Sequence, residues 1–137
     1  MRHTFKLFAA AIALISTVGT VNAKELVVTG DEAKDVMAMG DETIKLLGAM
    51  MPCLKQNTEQ VRNGDMYKVY NMCICEKNNT AAISSMKSLE AIYNKHNNWA
   101  SYSSVKVEEK SGDLTTSSSI DLSEFKKVLE SVKSCLR

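Results

Sequence analysis

Histidine is nearly absent from this 137-residue chain, which has two. His3 lies in the N-terminal stretch that reads as a removable leader, so His96 is the one imidazole left for acid–base work. A serine or cysteine hydrolase of the usual kind would have to draw its base from that residue, and no nucleophile motif accompanies it. His96 follows Tyr93 by three positions near an expected helix end, which suits a partly buried or dipole-facing role. The six glycines form no phosphate-binding loop, so phosphoryl transfer has no foothold. The carboxylate pairs Asp31/Glu32, Asp41/Glu42 and Glu108/Glu109 are sequence neighbours and read as solvated positions. Glycoside hydrolysis needs two carboxylates opposed across a substrate. No catalytic residue is assigned.

Charge of one sign is also missing. Lys and Arg total 17 against 16 Asp and Glu. Without Arg2 and Lys6 the balance becomes 15 to 16, near neutrality. Nucleic-acid binding normally demands a basic stripe, so neither nucleic acid nor an anionic membrane surface is an expected partner. No apolar run reaches the roughly 20 residues of a comfortable membrane span.

The N-terminus reads as a secretory signal. Arg2, His3 and Lys6 make a basic start, an apolar run from Leu7 to Ile15 follows, and Val21-Asn22-Ala23 offers short residues at cleavage spacing. Cleavage before Lys24 is expected. The remaining 114 residues suffice for one small, mostly helical domain, residues 24–137, burying about two thirds of its unfolded surface.

Four cysteines in an exported chain of this size imply two disulfides. Cys73 and Cys75, in Met72-Cys73-Ile74-Cys75, are two positions apart in an apolar stretch expected to be helical. Two α-helical steps rotate a side chain by about 200°, so these thiols would point to opposite sides and tie one helix to two neighbours. A bond between them would close a very small ring. The segment between Cys53 and Cys73 is centred on Asn63-Gly64-Asp65, a strong turn signal. Pairing Cys53 with Cys73 and Cys75 with Cys135 therefore leads, while Cys53–Cys75 with Cys73–Cys135 stays open.

Along the chain, Leu26-Val27-Val28 is a short apolar piece. Asp31 could cap a brief helix through Met39, with Gly40 interrupting it. From Asp41, the positions Ile44, Leu47, Met51, Leu54, Thr58 and Val61 mark one helical stripe, and Pro52 predicts a kink between Ala49 and Met51. Asp65 opens a second helix, Asn78-Asn79-Thr80 ends it and caps a third, and that third frays by Asn97-Asn98. Val105 and Val107 alternate with Lys106 and Glu108 ahead of Ser111-Gly112-Asp113. This pattern predicts a polar β-hairpin or ordered loop with little core. Asp121 and Glu124 form a capping-box-like start to a last stripe of Leu122, Phe125, Leu129, Val132 and Leu136.

Zinc would want thiolates and imidazoles at ligand spacing, whereas Cys-x-Cys with distant partners favours disulfides. Soft thioethers suit copper(I), but Met37, Met39, Met50, Met51, Met66, Met72 and Met86 include no i,i+3 or i,i+4 pair. They read as flexible core filler. A redox-active Cys73/Cys75 pair is a further alternative, although the site lacks the cationic or helix-N-terminal surroundings that lower a thiol pKa. No metal and no cofactor are expected. Trp99 and Tyr102 stand in a loop beside the polar hairpin, and such aromatics are frequent interface anchors. They are the candidate partner-binding residues, with coverage of the core end as the structural alternative for Trp99.

The sequence thus predicts a mainly α, disulfide-stapled antiparallel array of about four helices with a short polar hairpin or loop before the last. The expected role is that of an exported, periplasmic or secreted, non-enzymatic module binding another protein, in the manner of an inhibitor, immunity protein or small chaperone. Binding of Cu(I) through methionines and thiol–disulfide exchange at Cys73/Cys75 are the alternatives. In a eukaryotic source, Asn78-Asn79-Thr80 would be a glycosylation acceptor.

Overall fold

A computed structural model describes residues 24–137, and the leader assigned to residues 1–23 lies outside the described residues. Strand β1 (Glu25–Val28) leads into the long helix α1 (Gly30–Gln56). Two short helices follow, α2 (Thr58–Arg62) and α3 (Met66–Tyr70), and α3 runs into a π-helical turn (Asn71–Glu76). Helix α4 (Thr80–Lys95) and a 3₁₀ turn (Asn97–Ser101) precede strands β2 (Ser104–Ser111) and β3 (Leu114–Asp121). Helix α5 (Leu122–Ser131) and a 3₁₀ turn (Lys133–Cys135) end the chain. The described residues are mainly helical, with five α-helices, one small sheet and two disulfides.

Helix α1 is the central rod. It runs through Gly40 without the expected interruption, because Val36 and Met39 before the glycine face the same core as Leu46, Leu47 and Met50 after it. That burial outweighs the roughly 1 kcal/mol cost of a helical glycine. Pro52 also lies within the helix. The carbonyl of Ala49, in the turn that a proline loosens, accepts a hydrogen bond from Asn79 Nδ2 at 2.9 Å. The buried face overlaps the expected stripe only in part: Leu47 and Leu54 are buried as expected, but Ile44 is 54% exposed, and Val36, Met39, Leu46, Met50 and Cys53 beside that stripe are buried. The helix stops at Gln56 rather than continuing to Val61, and Asn57 Nδ2 caps it by donating to Cys53 O at 2.7 Å.

Three of the expected caps are in place, whereas Asp31 lies inside the first turn of α1, whose N-cap is Thr29 with no side-chain hydrogen bond. Asp65 accepts from Lys68 N, Asn79 from Ala82 N and Asp121 from Glu124 N, opening α3, α4 and α5. Helix α4 packs antiparallel along α1. His96 at its C-terminal end meets Asp35 near the start of α1, and Asn79 at its N-terminal end meets Ala49.

The sheet has the order β1-β2-β3. Strands β1 and β2 are parallel, from Glu25 opposite Ser104 to Val28 opposite Val107, and β2 and β3 form the hairpin. The polar segment thus contributes core after all, with Val105, Val107 and Ile120 each at most 5% exposed. The apolar piece at Leu26 is its third strand. Ser103 ties the three starts together: its N–H and hydroxyl both donate to Lys24 O, and its carbonyl accepts from Leu122 N at 2.8 Å.

Candidate interaction surface

The cysteines bond as Cys53–Cys73 and Cys75–Cys135, one of the two arrangements that the sequence left open, with Cα separations of 5.6 and 5.3 Å. Cys73 and Cys75 sit in a π-helical turn rather than an α-helix. Lys77 N and Asn79 N each donate to a carbonyl five residues back, those of Met72 and Ile74. One bridge reaches the end of α1 and the other the C-terminal turn, so three segments are fixed around one point. Cys53 and Cys73 are buried, and Cys75 and Cys135 are partly exposed. The two thiols of the Cys-x-Cys unit are held in separate bridges and not in one pair.

Trp99 is fully buried, unlike an anchor waiting for a partner. Its Nε1–H donates to Glu32 Oε2 at 2.9 Å, and its ring stacks on His96 with centroids 4.3 Å apart. His96 Nε2 donates to Asp35 Oδ2 at 2.6 Å, and Lys95 Nζ reaches the same oxygen at 2.9 Å. The hydrogen bond from Lys95 foremost, and that from His96 next, hold the Asp35 carboxyl below its usual range. The cluster closes the junction of α1 with α4, so Trp99 is a core residue and His96 a partner in that seam. Tyr102, half-buried, keeps part of its surface open.

A second polar cluster joins α3 to α5. Tyr67 Oη donates to Glu124 Oε2 at 2.6 Å, and burial together with that carboxylate pushes its phenol up to about 12. Asp121 is 1% exposed, and its Oδ2 has no hydrogen-bond partner among the described residues. Burial raises its carboxyl, and the nearby negative charge of Glu124 adds to the rise. Beside this cluster a shallow groove of about 560 Å³ is lined by Tyr67, Lys68, Asn71 and Met72 among others. Asn71 Nδ2 spans its floor to Ser131 O at 2.8 Å. Met39, Met50 and Met86 are buried in the core, and no group of three or more potential His, Cys, Asp or Glu metal ligands occurs among the described residues.

The most exposed ordered feature is the outer half of the hairpin. β1 accompanies β2 only as far as Val107, so beyond that point β2 pairs with β3 alone, from Glu108 opposite Ser117 to Ser111 opposite Leu114. Residues 108–118 are all exposed, on both faces of the ribbon. The four rungs project about 14 Å. Gly112, at φ +65°, followed by Asp113 at negative φ, makes the II′-type turn that matches strand twist. Glu108, Glu109, Lys110 and Asp113 charge β2 and the tip, whereas β3 carries no charged residue from Leu114 to Ile120. Leu114 is 64% exposed. The sequence placed a hairpin here but not its projection, because the length of β1 decides where the ribbon leaves the body.

No family model, curated protein or solved structure matches the chain. No helix among the described residues is long and apolar enough to cross a membrane.

Proposed function

We propose that this chain is an exported, non-enzymatic interaction protein of the bacterial periplasm that holds out its β-ribbon to a partner protein. Inhibitors, toxin immunity proteins and small chaperones are the class it fits. The observation that carries the reading is a four-rung ribbon, exposed on both faces, that adds nothing to the core. A two-stranded ribbon of this kind is marginal by itself in water, so its retention is best explained by a use. Two disulfides are compatible with an oxidising compartment. They anchor the helices that carry the ribbon, as a rigid scaffold does for a contact loop. Tyr102, half-exposed near the ribbon base, extends the contact surface, whereas Trp99 supports it from within.

The test is affinity capture from bacterial envelope extracts with two versions of the exported chain. In the second, residues 108–117 are replaced by an Asn-Gly turn joining Val107 to Ser118, which are cross-strand neighbours. The expected result is a specific partner retained by the full chain and lost by the shortened one, with thermal unfolding nearly unchanged. Equal retention by both chains, or no specific partner for either, refutes the proposal.

A further inference from the structure

β3 is an edge strand, because the sheet ends with it. Natural proteins blunt such edges with Lys, Pro, bulges or extreme shortness, since the free N–H and C=O row is a template for another strand. Residues 114–120 have none of these defences. They contain no charge and no proline, and the register with β2 is unbroken from Ser111 opposite Leu114 to Ser104 opposite Asp121, so there is no bulge. We infer that this edge pairs antiparallel with the same edge of a second copy of the chain, about a two-fold axis at Ser117.

The axis position follows from geometry. Two like strands related by a two-fold axis normal to the sheet keep each face on the same side, so paired residues must both be even or both odd in number. Centring on Ser117 places Thr116 opposite Ser118, Thr115 opposite Ser119 and Leu114 opposite Ile120. Leu114 shares its sheet face with Ile120, whose own neighbours there are Val105 and Val107. The exposed leucine of each copy is thereby laid beside the buried end of the other sheet. Moving the axis to Thr116 would set Ile120 against the Gly112 turn, and moving it to Ser118 would carry Leu114 past the strand, opposite Leu122 in α5. Only the Ser117 register matches apolar with apolar and hydroxyl with hydroxyl, and cross-strand Thr/Ser pairs of that kind are mutually favourable. No like charges meet within residues 114–120, although one step further out the same register sets Asp113 of the turn opposite Asp121. A single strand pair falls short of the roughly 1,000 Å² of a durable interface, so the dimer is weak, with dissociation in the range of about 10 μM to 1 mM.

This inference rests on the ribbon being a contact element, but its test needs only the purified chain. Sedimentation velocity of the exported chain over that concentration range should show reversible dimerisation. Ser117→Lys puts two ammonium groups directly opposite each other, and Ser117→Glu two carboxylates. Each variant should weaken self-association about fivefold or more, while an equimolar mixture of the two should recover it. Far-UV circular dichroism checks that both are folded. A chain that stays monomeric throughout overturns the inference, as does self-association that ignores either substitution or a mixture that fails to recover. A monomeric chain whose Ser117→Lys variant no longer retains the envelope partner would assign the edge to a partner's strand, which also overturns it while leaving the proposed function standing.

Discussion

Replacing Trp99 with phenylalanine separates a core role from a contact role. The indole is fully buried and donates to Glu32 Oε2 at 2.9 Å. Phenylalanine gives up about 40 Å² of buried apolar surface, worth about 1 kcal/mol at the usual area coefficient. It also loses one hydrogen bond to a carboxylate, and because Glu32 is only partly buried, water recovers part of that bond. A further loss of about 1 kcal/mol is reasonable. The total is about 2 kcal/mol, which at a urea dependence of about 1 to 2 kcal/mol per molar lowers the unfolding midpoint by about 1 to 2 M. The chain has one tryptophan, so the transition is followed by far-UV circular dichroism under oxidising conditions. In a Glu32→Gln background the same substitution should cost less, as expected of two groups in contact. Partner capture should be unaltered wherever the variant is folded. A midpoint unchanged within about 0.3 M, or capture lost while the midpoint holds, would refute the assignment of Trp99 to the core.

The staple between Cys75 and Cys135, partly exposed, should be reduced before the buried one, which alkylation and mass spectrometry after graded reductant can order. Removing it with Cys75→Ser and Cys135→Ser together should cost at most about 4 kcal/mol for its 60-residue separation, against at most about 3 kcal/mol for the 20-residue separation of Cys53 and Cys73. The two perturbed carboxylates should respond to pH with opposite sign. Asp35 is held low, so its stabilisation is present above the ordinary carboxyl pKa near 3.8 and vanishes as pH falls through its lowered value. Asp121 is held high, so its contribution is present below 3.8 and is lost as pH rises through the raised value. Melting curves between pH 2 and 7 should therefore show the advantage of the natural chain growing with pH over Asp35→Asn and shrinking with pH over Asp121→Asn, and slopes of one sign would refute the pair. Hydrogen exchange should find the amides of residues 108–117 opening well before those of Val105 and Ile120, with β3 slowing at high protein concentration. Uniform protection along the hairpin would contradict both the projection and the strand pairing.

Local chemistry was readable wherever one side chain and its nearest backbone decide the outcome. Asp65, Asn79 and Asp121 cap the helices they were expected to cap, since a short polar side chain satisfies an N–H three residues on without outside help. The phase of α1 was readable only in part, with Leu47 and Leu54 inward as expected and Ile44 outward. Two adjacent rows of its surface are apolar, Ile44 belongs to one, and Val36, Met39 and Met50 belong to the other. Spacing alone fixes the period and not the direction of the core. Cys53, bonded to Cys73, is buried together with the second row. β1 escaped notice for a different reason. Three consecutive apolar residues show no alternation, and the partner Ser104 lies 79 positions away from Glu25, beyond any window that reads local pattern. Trp99 was visible as an aromatic in a polar loop, but its direction depends on Glu32 and His96, which only the antiparallel packing of α1 and α4 brings beside it.

The placement of the bridges bears on why a projecting ribbon is tolerable in so small a chain. Ordering backbone costs about 1 to 2 kcal/mol per residue, while a ladder hydrogen bond returns about 0.5 to 1.5 kcal/mol, and the four outer rungs bury no apolar side chain to make up the difference. The deficit falls on a domain whose whole margin is about 5 to 15 kcal/mol. Both bridges converge on the π-helical turn and act on the unfolded chain, so they raise that margin without requiring any further core. The same logic explains why the ribbon is rooted where it is. Ser103 binds the starts of β1, β2 and α5 at one point, so opening the outer rungs leaves Val105, Val107 and Ile120 in place. A contact element that can loosen and re-form without disturbing its anchor suits a weak, reversible strand pairing better than a rigid, permanent interface.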